Sequence, residues 1–142
     1  MFGGIVNIGS ALLITVILFV IGFLWYGPLF GNLWLKLSKI PAADIAKAKK
    51  KGMGGMWKQM VLGFIGTFIL VYVLSGLIVL LGITEPMQGA VLGFWVWLGF
   101  FACSTLLNSV LWEGKPWGLF ALNGLYWLVV LKLTGFLAVV WG

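Results

Sequence analysis

Residues Thr105 to Tyr126, TLLNSVLWEGKPWGLFALNGLY, decide the fold. Two apolar runs meet at Glu113-Gly114-Lys115-Pro116, and each run carries one asparagine, Asn108 and Asn123. Gly and Pro punctuate chain direction, and two opposite charges beside them want water or headgroups. The stretch therefore reads as a tight turn between two membrane-spanning helices, with one amide a turn or two inside each.

Composition supports the reading. The 142 residues are 63% hydrophobic and 8% charged, with a mean hydropathy of +1.16. Soluble domains carry about 25% charged residues, so lipid is the solvent that suits this chain. Four helices of about 20 to 25 residues consume nearly all of it, giving an all-α membrane protein with a single four-helix domain. Outward from the opening stretch, spans are expected at residues 89–111 and 117–140, preceded by 60–82 and 5–26. The first run has no basic leader and is longer than a signal-peptide core, so it is expected to remain in the mature protein. Its Asn7, Ala11, Thr15, Leu18, Gly22 and Tyr26 recur at helical spacing and should face other helices. Gly27-Pro28 should bend or end it.

The net charge of +6 comes with no arginine and with lysines crowded into residues 32–58. That pattern speaks for topology and anionic lipid and against nucleic acid. The positive-inside rule puts this loop and the Glu113–Lys115 turn in the cytoplasm and both termini outside. Pro41 to Asp44 is expected to start a short helix. Lys47, Lys49, Lys50, Lys51 and Lys58 are the candidate lipid-headgroup residues. Trp25, Tyr26, Trp112 and Trp117, at helix ends, suit an interfacial aromatic belt.

Inside the membrane, Asn108 lies four residues before Trp112 and Asn123 six after Trp117. Their depths of about 6 and 9 Å nearly match. An interhelical hydrogen bond is the simple reading; a shallow cytoplasmic pocket with Tyr126 and Trp127 is the functional one. Glu113 is either an interfacial charge beside Lys115 or a latch on the basic loop, for instance on Lys58. Lys132 is the one charge inside a span, nine residues from Asn123 and thus on the opposite helix face. It either snorkels to headgroups or meets an anion or a subunit. Trp95 and Trp97 are possible cation-binding faces. The chain has no histidine and one cysteine, Cys103. No catalytic constellation, metal site or cofactor site follows.

The octapeptides Leu24-Trp-Tyr-Gly-Pro-Leu-Phe-Gly31 and Leu111-Trp-Glu-Gly-Lys-Pro-Trp-Gly118 agree at four of eight positions, as two parallel-repeat helical hairpins would. The first of them, together with Lys51-Gly-Met-Gly54, Gly93-Phe-Trp-Val-Trp-Leu-Gly-Phe100, the opening stretch and Asn123-Gly-Leu-Tyr-Trp127, resembles domain-of-unknown-function family 1761. The resemblance covers nearly the whole chain. It implies a small four-span protein of the bacterial inner membrane and brings no activity with it.

Two functions fit these readings. One is binding or translocation of a small amphipathic or lipid-like molecule in a bundle shared by a homodimer, with Asn108, Asn123, Tyr126, Trp127, Glu113 and Lys132 as the ligand-binding set. The other is a structural or accessory subunit that docks a partner protein and anionic lipid.

Overall fold

A computed structural model describes residues 6–38 and 57–141. Helix α1 (Ile8–Leu24) starts at Asn7, whose side-chain oxygen accepts the Ser10 N–H at 3.2 Å and so satisfies one orphan donor. Ala11, Ile14, Thr15 and Leu18 are buried on the expected face. The Thr15 hydroxyl donates to the Ala11 carbonyl at 2.7 Å, which removes the cost of burying it. At Gly27-Pro28 the helix bends instead of ending. Pro28 offers no N–H, and the chain widens over Trp25–Leu29 until the Phe30 N–H reaches the Trp25 carbonyl, five residues back, at 2.9 Å. A Cβ at Gly31 would lie 2.7 Å from the Tyr26 carbonyl oxygen, so only glycine follows this bend without a shift. Helix α2 (Gly31–Ser38) then occupies the start of the expected basic loop. Lys47, Lys49, Lys50, Lys51 and the short helix expected at Pro41 lie outside the described residues.

Helix α3 (Trp57–Leu80) contains Lys58 in its first turn. Its end is closed by Gly82 at φ +70°, with Gly82 N–H to Val79 O and Ile83 N–H to Ile78 O, both at 3.0 Å. That double bond with a left-handed glycine is the Schellman stop. Helix α4 (Pro86–Val96) begins with proline at a position where the missing N–H costs nothing. It continues through a widened stretch, Trp97–Leu106, into α5 (Leu107–Leu111). After the turn at Gly114, φ +70°, α6 (Trp117–Trp141) returns the chain. Four stretches, Ile8–Leu29, Trp57–Leu80, Pro86–Leu111 and Trp117–Trp141, are long and apolar enough to cross a membrane. The protein is an all-α, four-span membrane fold, with ends within three residues of those expected.

Helix α6 is central. Against it α4 packs backbone to backbone: a Cβ on Gly93 would come 2.6 Å from the Leu131 carbonyl carbon and 2.9 Å from Lys132 Cα, and Gly89 and Gly135 meet through their own carbonyls. Small residues let helices approach this closely in lipid, where dispersion contacts drive association. The remaining core, Ala11, Ile14, Leu18, Val71, Leu74, Ile78, Val130, Leu131 and Ala138, gathers toward the end holding the termini. There the Ser10 hydroxyl also donates to the Trp141 carbonyl. Buried residues on α3 begin only at Val71; in its less buried first half, Phe64 meets Phe19 of α1 edge to face, ring centroids 5.2 Å apart.

The two related octapeptides fold differently. Gly27 (φ −109°, ψ −105°) sits in a widened helix, while Gly114 makes a left-handed turn. Trp25 is half-buried with an enclosed indole N–H, whereas Trp112 is 85% exposed. Shared Leu, Trp and Gly mark the helix ends in both without setting one geometry.

Candidate functional site

A cleft of about 390 Å³ opens between α1 and the less buried first half of α3, at the basic-loop end. Phe19, Gly22, Phe23, Tyr26 and Gly27 form one wall, extending about 12 Å along the helix axis. Gln59, Met60 and Thr67 form the other, and Tyr126 of α6 reaches in between them. The volume lies in the range of about 300–1,000 Å³ usual for small-molecule sites. Phe23, Gly27 and Gln59 are exposed, so the cleft is open at its rim.

Two phenols supply most of its polarity. The Tyr26 hydroxyl donates to Asn123 Oδ1 at 2.6 Å and keeps its lone pairs as acceptors. The Tyr126 hydroxyl has no partner among the described residues, and it passes so close to Gly22 that a Cβ there would lie 3.0 Å from it. The two rings meet edge to face, centroids 5.1 Å apart. Trp34 of α2 packs on Tyr26 at 6.1 Å and Trp25 lies 6.0 Å from Tyr126, so the bend after α1 and α2 both bear on the cleft. Thr67 is occupied elsewhere: its hydroxyl donates to the Gly63 carbonyl at 2.8 Å.

Of the residues expected from sequence, Tyr126 lines the cleft, and Asn123 bears on it through its hydrogen bond with Tyr26. Trp25 and Tyr26 pack on Tyr126 of α6, ring centroids 6.0 and 5.1 Å away. Trp112 and Trp117 are 85% and 60% exposed. Trp127 faces away from the cleft's lining and stacks on Phe101 at 5.2 Å. Asn108 is exposed on α5, and the amide that ties the bundle to α1 is Asn123. Glu113 accepts from Ser109 Oγ at 3.0 Å, and Lys58 stands over the Trp57 ring at 5.7 Å. The charge near Lys58 is thus met by an aromatic face, and Glu113 by a hydroxyl one turn back. Lys132 is exposed on α6. Trp97 is a structural anchor, its indole N–H donating to the Gly124 carbonyl at 2.8 Å.

Sequence reasoning missed Phe19, Phe23, Gln59, Met60 and Thr67 as lining residues. The signal available was the Phe19/Phe23 pair at i,i+4 and an amide, Gln59, at the very start of an apolar run.

The Tyr26–Asn123 bond gives a first test. A double-mutant cycle with Tyr26→Phe and Asn123→Ala, read by reversible unfolding in mixed micelles, should return a coupling of about 0.5–2 kcal/mol. Additive effects would mean that the bond is not made in the membrane-like state.

The profile of one protein family, described as a protein of unknown function (DUF1761), matches residues 10–139. Among curated proteins and solved structures nothing matches.

Proposed function

The chain belongs to the DUF1761 family of proteins of unknown function, and from that premise we propose that it binds a small amphipathic or lipid-like molecule in the α1–α3 cleft and translocates it. The observation that carries this reading is the Tyr126 hydroxyl, without a partner among the described residues, in an open and mostly apolar cleft. A tail taken from lipid gains little by entering another apolar surface, so selection falls on the polar end. Tyr126 donates to that end and the lone pairs of Tyr26, fixed by Asn123, accept from it. Phe19 and Phe23 lie along the tail. No carboxylate lines the cleft among the described residues, so passive or lipid-driven movement fits this reading better than proton coupling.

The setting we propose is the inner, cytoplasmic membrane of a bacterium, both termini outside and the cleft on the cytoplasmic side. Eight lysines in the basic loop and the Glu113–Lys115 turn favour that orientation. A second copy covering the exposed rim at Phe23, Gly27 and Gln59 would complete a homodimer with a shared cavity, and the loop lysines would hold anionic headgroups beside it.

Native mass spectrometry of the protein released from its own membrane tests this. A dimer carrying a recurrent extra mass is the expected result. A clean monomer with no adduct overturns the shared-cavity reading.

A further inference from the structure

Lys132 stands on α6 three residues past the middle of a 25-residue helix, about 4.5 Å from the bilayer midplane if the helix is centred. Its side chain is exposed, on the side of α6 away from Asn123 and the cleft. Half of a hydrocarbon core of about 30 Å leaves roughly 10 Å to the nearer headgroups. A lysine stem reaches about 6 Å, so snorkelling alone leaves the ammonium inside the apolar layer. A lone charge at this depth is costly to insert and calls for compensation.

The fold also prevents the bundle from taking Lys132 back. Gly93 of α4 rests directly on the backbone at Leu131 and Lys132, so the stem has no room on that side. Among the described residues the carboxylates are Glu85 and Glu113, in turns at opposite ends of the spans. Asp44 belongs by sequence to the loop joining the first two spans. No span of this chain contains an acid. A second copy docked symmetrically on this face would bring Lys132 toward its own equivalent and offer no carboxylate at that depth.

We propose that the α6 face carrying Lys132 docks a membrane-spanning helix of a different protein, one with a buried aspartate or glutamate near its middle. The face suits a helix in shape: Ala121, Leu125, Val129 and Lys132 are all exposed at spacings of four, four and three. Charge complementarity selects the occupant, because a carboxylate is the group whose own burial cost falls on meeting an ammonium in lipid. This interface is separate from the cleft and does not depend on the ligand proposed for it.

The test uses the full chain in zwitterionic vesicles. The probe is a synthetic Leu/Ala transmembrane peptide of about 23 residues with one central Glu, compared with its Gln and Lys versions by energy transfer. The Glu peptide should associate at least about tenfold more tightly than the Gln peptide. Lys132→Met should remove that preference without loss of fold, since it deletes a charge facing lipid. Lys132→Glu should transfer the preference to the Lys peptide. Equal binding of the Glu and Gln peptides overturns the proposal. So does a repeat in vesicles that also contain anionic lipid, if that lipid gathers at Lys132 and the Glu peptide shows no advantage there, because the ammonium would then be serving a phosphate.

Discussion

Gly93→Ala is expected to unseat α4 from α6 and to destabilise the protein by about 3 kcal/mol, the upper part of the range for forced overpacking. The size follows from what the new methyl would meet. Its contacts, the Leu131 carbonyl group and Lys132 Cα, are backbone atoms of a helix, which cannot rotate aside as a side chain does. The axes must separate, and the neighbouring contact between Gly89 and Gly135 separates with them. Gly135→Ala should act through the same seam, and the two substitutions together should fall short of additive because the first already opens it. Gly66→Ala is the control. A Cβ there meets nothing within 4 Å, so the change should stay within about 0.5 kcal/mol. Reversible unfolding in mixed micelles measures all of these. If Gly93→Ala behaves like Gly66→Ala, the close approach is absent from the membrane-embedded protein.

Gly22→Leu should lower capture of a photoreactive single-chain amphiphile by at least about tenfold, a loss of about 1.4 kcal/mol or more in binding. The new side chain would project where the Tyr126 hydroxyl now sits, 3.0 Å from the first added carbon, and would fill the cleft floor. Tyr126 can swing aside because its phenol is the far end of a flexible side chain, so the fold should tolerate the change better than it tolerates Gly93→Ala. Tyr126→Phe separates the two contributions by removing the donor and leaving the volume. It should reduce capture of hydroxyl- or carbonyl-headed probes and spare an alkane of equal length. Unchanged capture by Gly22→Leu, in a protein that still unfolds normally, would move the binding site away from α1 and α3.

Much of this architecture was legible in the residues. Apolar run lengths set the four spans, and the face predicted from Ala11, Thr15 and Leu18 is the one α1 buries. The spacing Gly89-x-x-x-Gly93 is the small-residue pattern of a close helix contact, but it does not name the partner. Gly135 and Lys132 lie three residues apart on α6, yet α4 covers the first and leaves the side chain of the second exposed. The amides show the limit more sharply. Asn108 and Asn123 match in depth, yet Asn123 bonds Tyr26, since depth fixes height in the membrane and says nothing about which helix stands alongside. That α1 is α6's neighbour at this level is a tertiary fact. The widened turns at Trp25–Leu29 and Trp97–Leu106 had even less of a signal. Apart from Pro28, no residue type marks a shift from four-residue to five-residue hydrogen bonding. The cleft left only a faint trace: the first half of α3 carries Lys58, Gln59 and Thr67 and is less apolar than its second half, but that pattern does not say which helix stands opposite.

The uneven burial of α3 also divides one continuous helix into two grades of stability. From Val71 to Ile78 it is locked into the core, whereas in its first half Phe64 meets Phe19 of α1 beside the cleft. A half held by fewer buried contacts opens at lower cost than the half it continues, so whatever enters the cleft meets the part of α3 that is least costly to move.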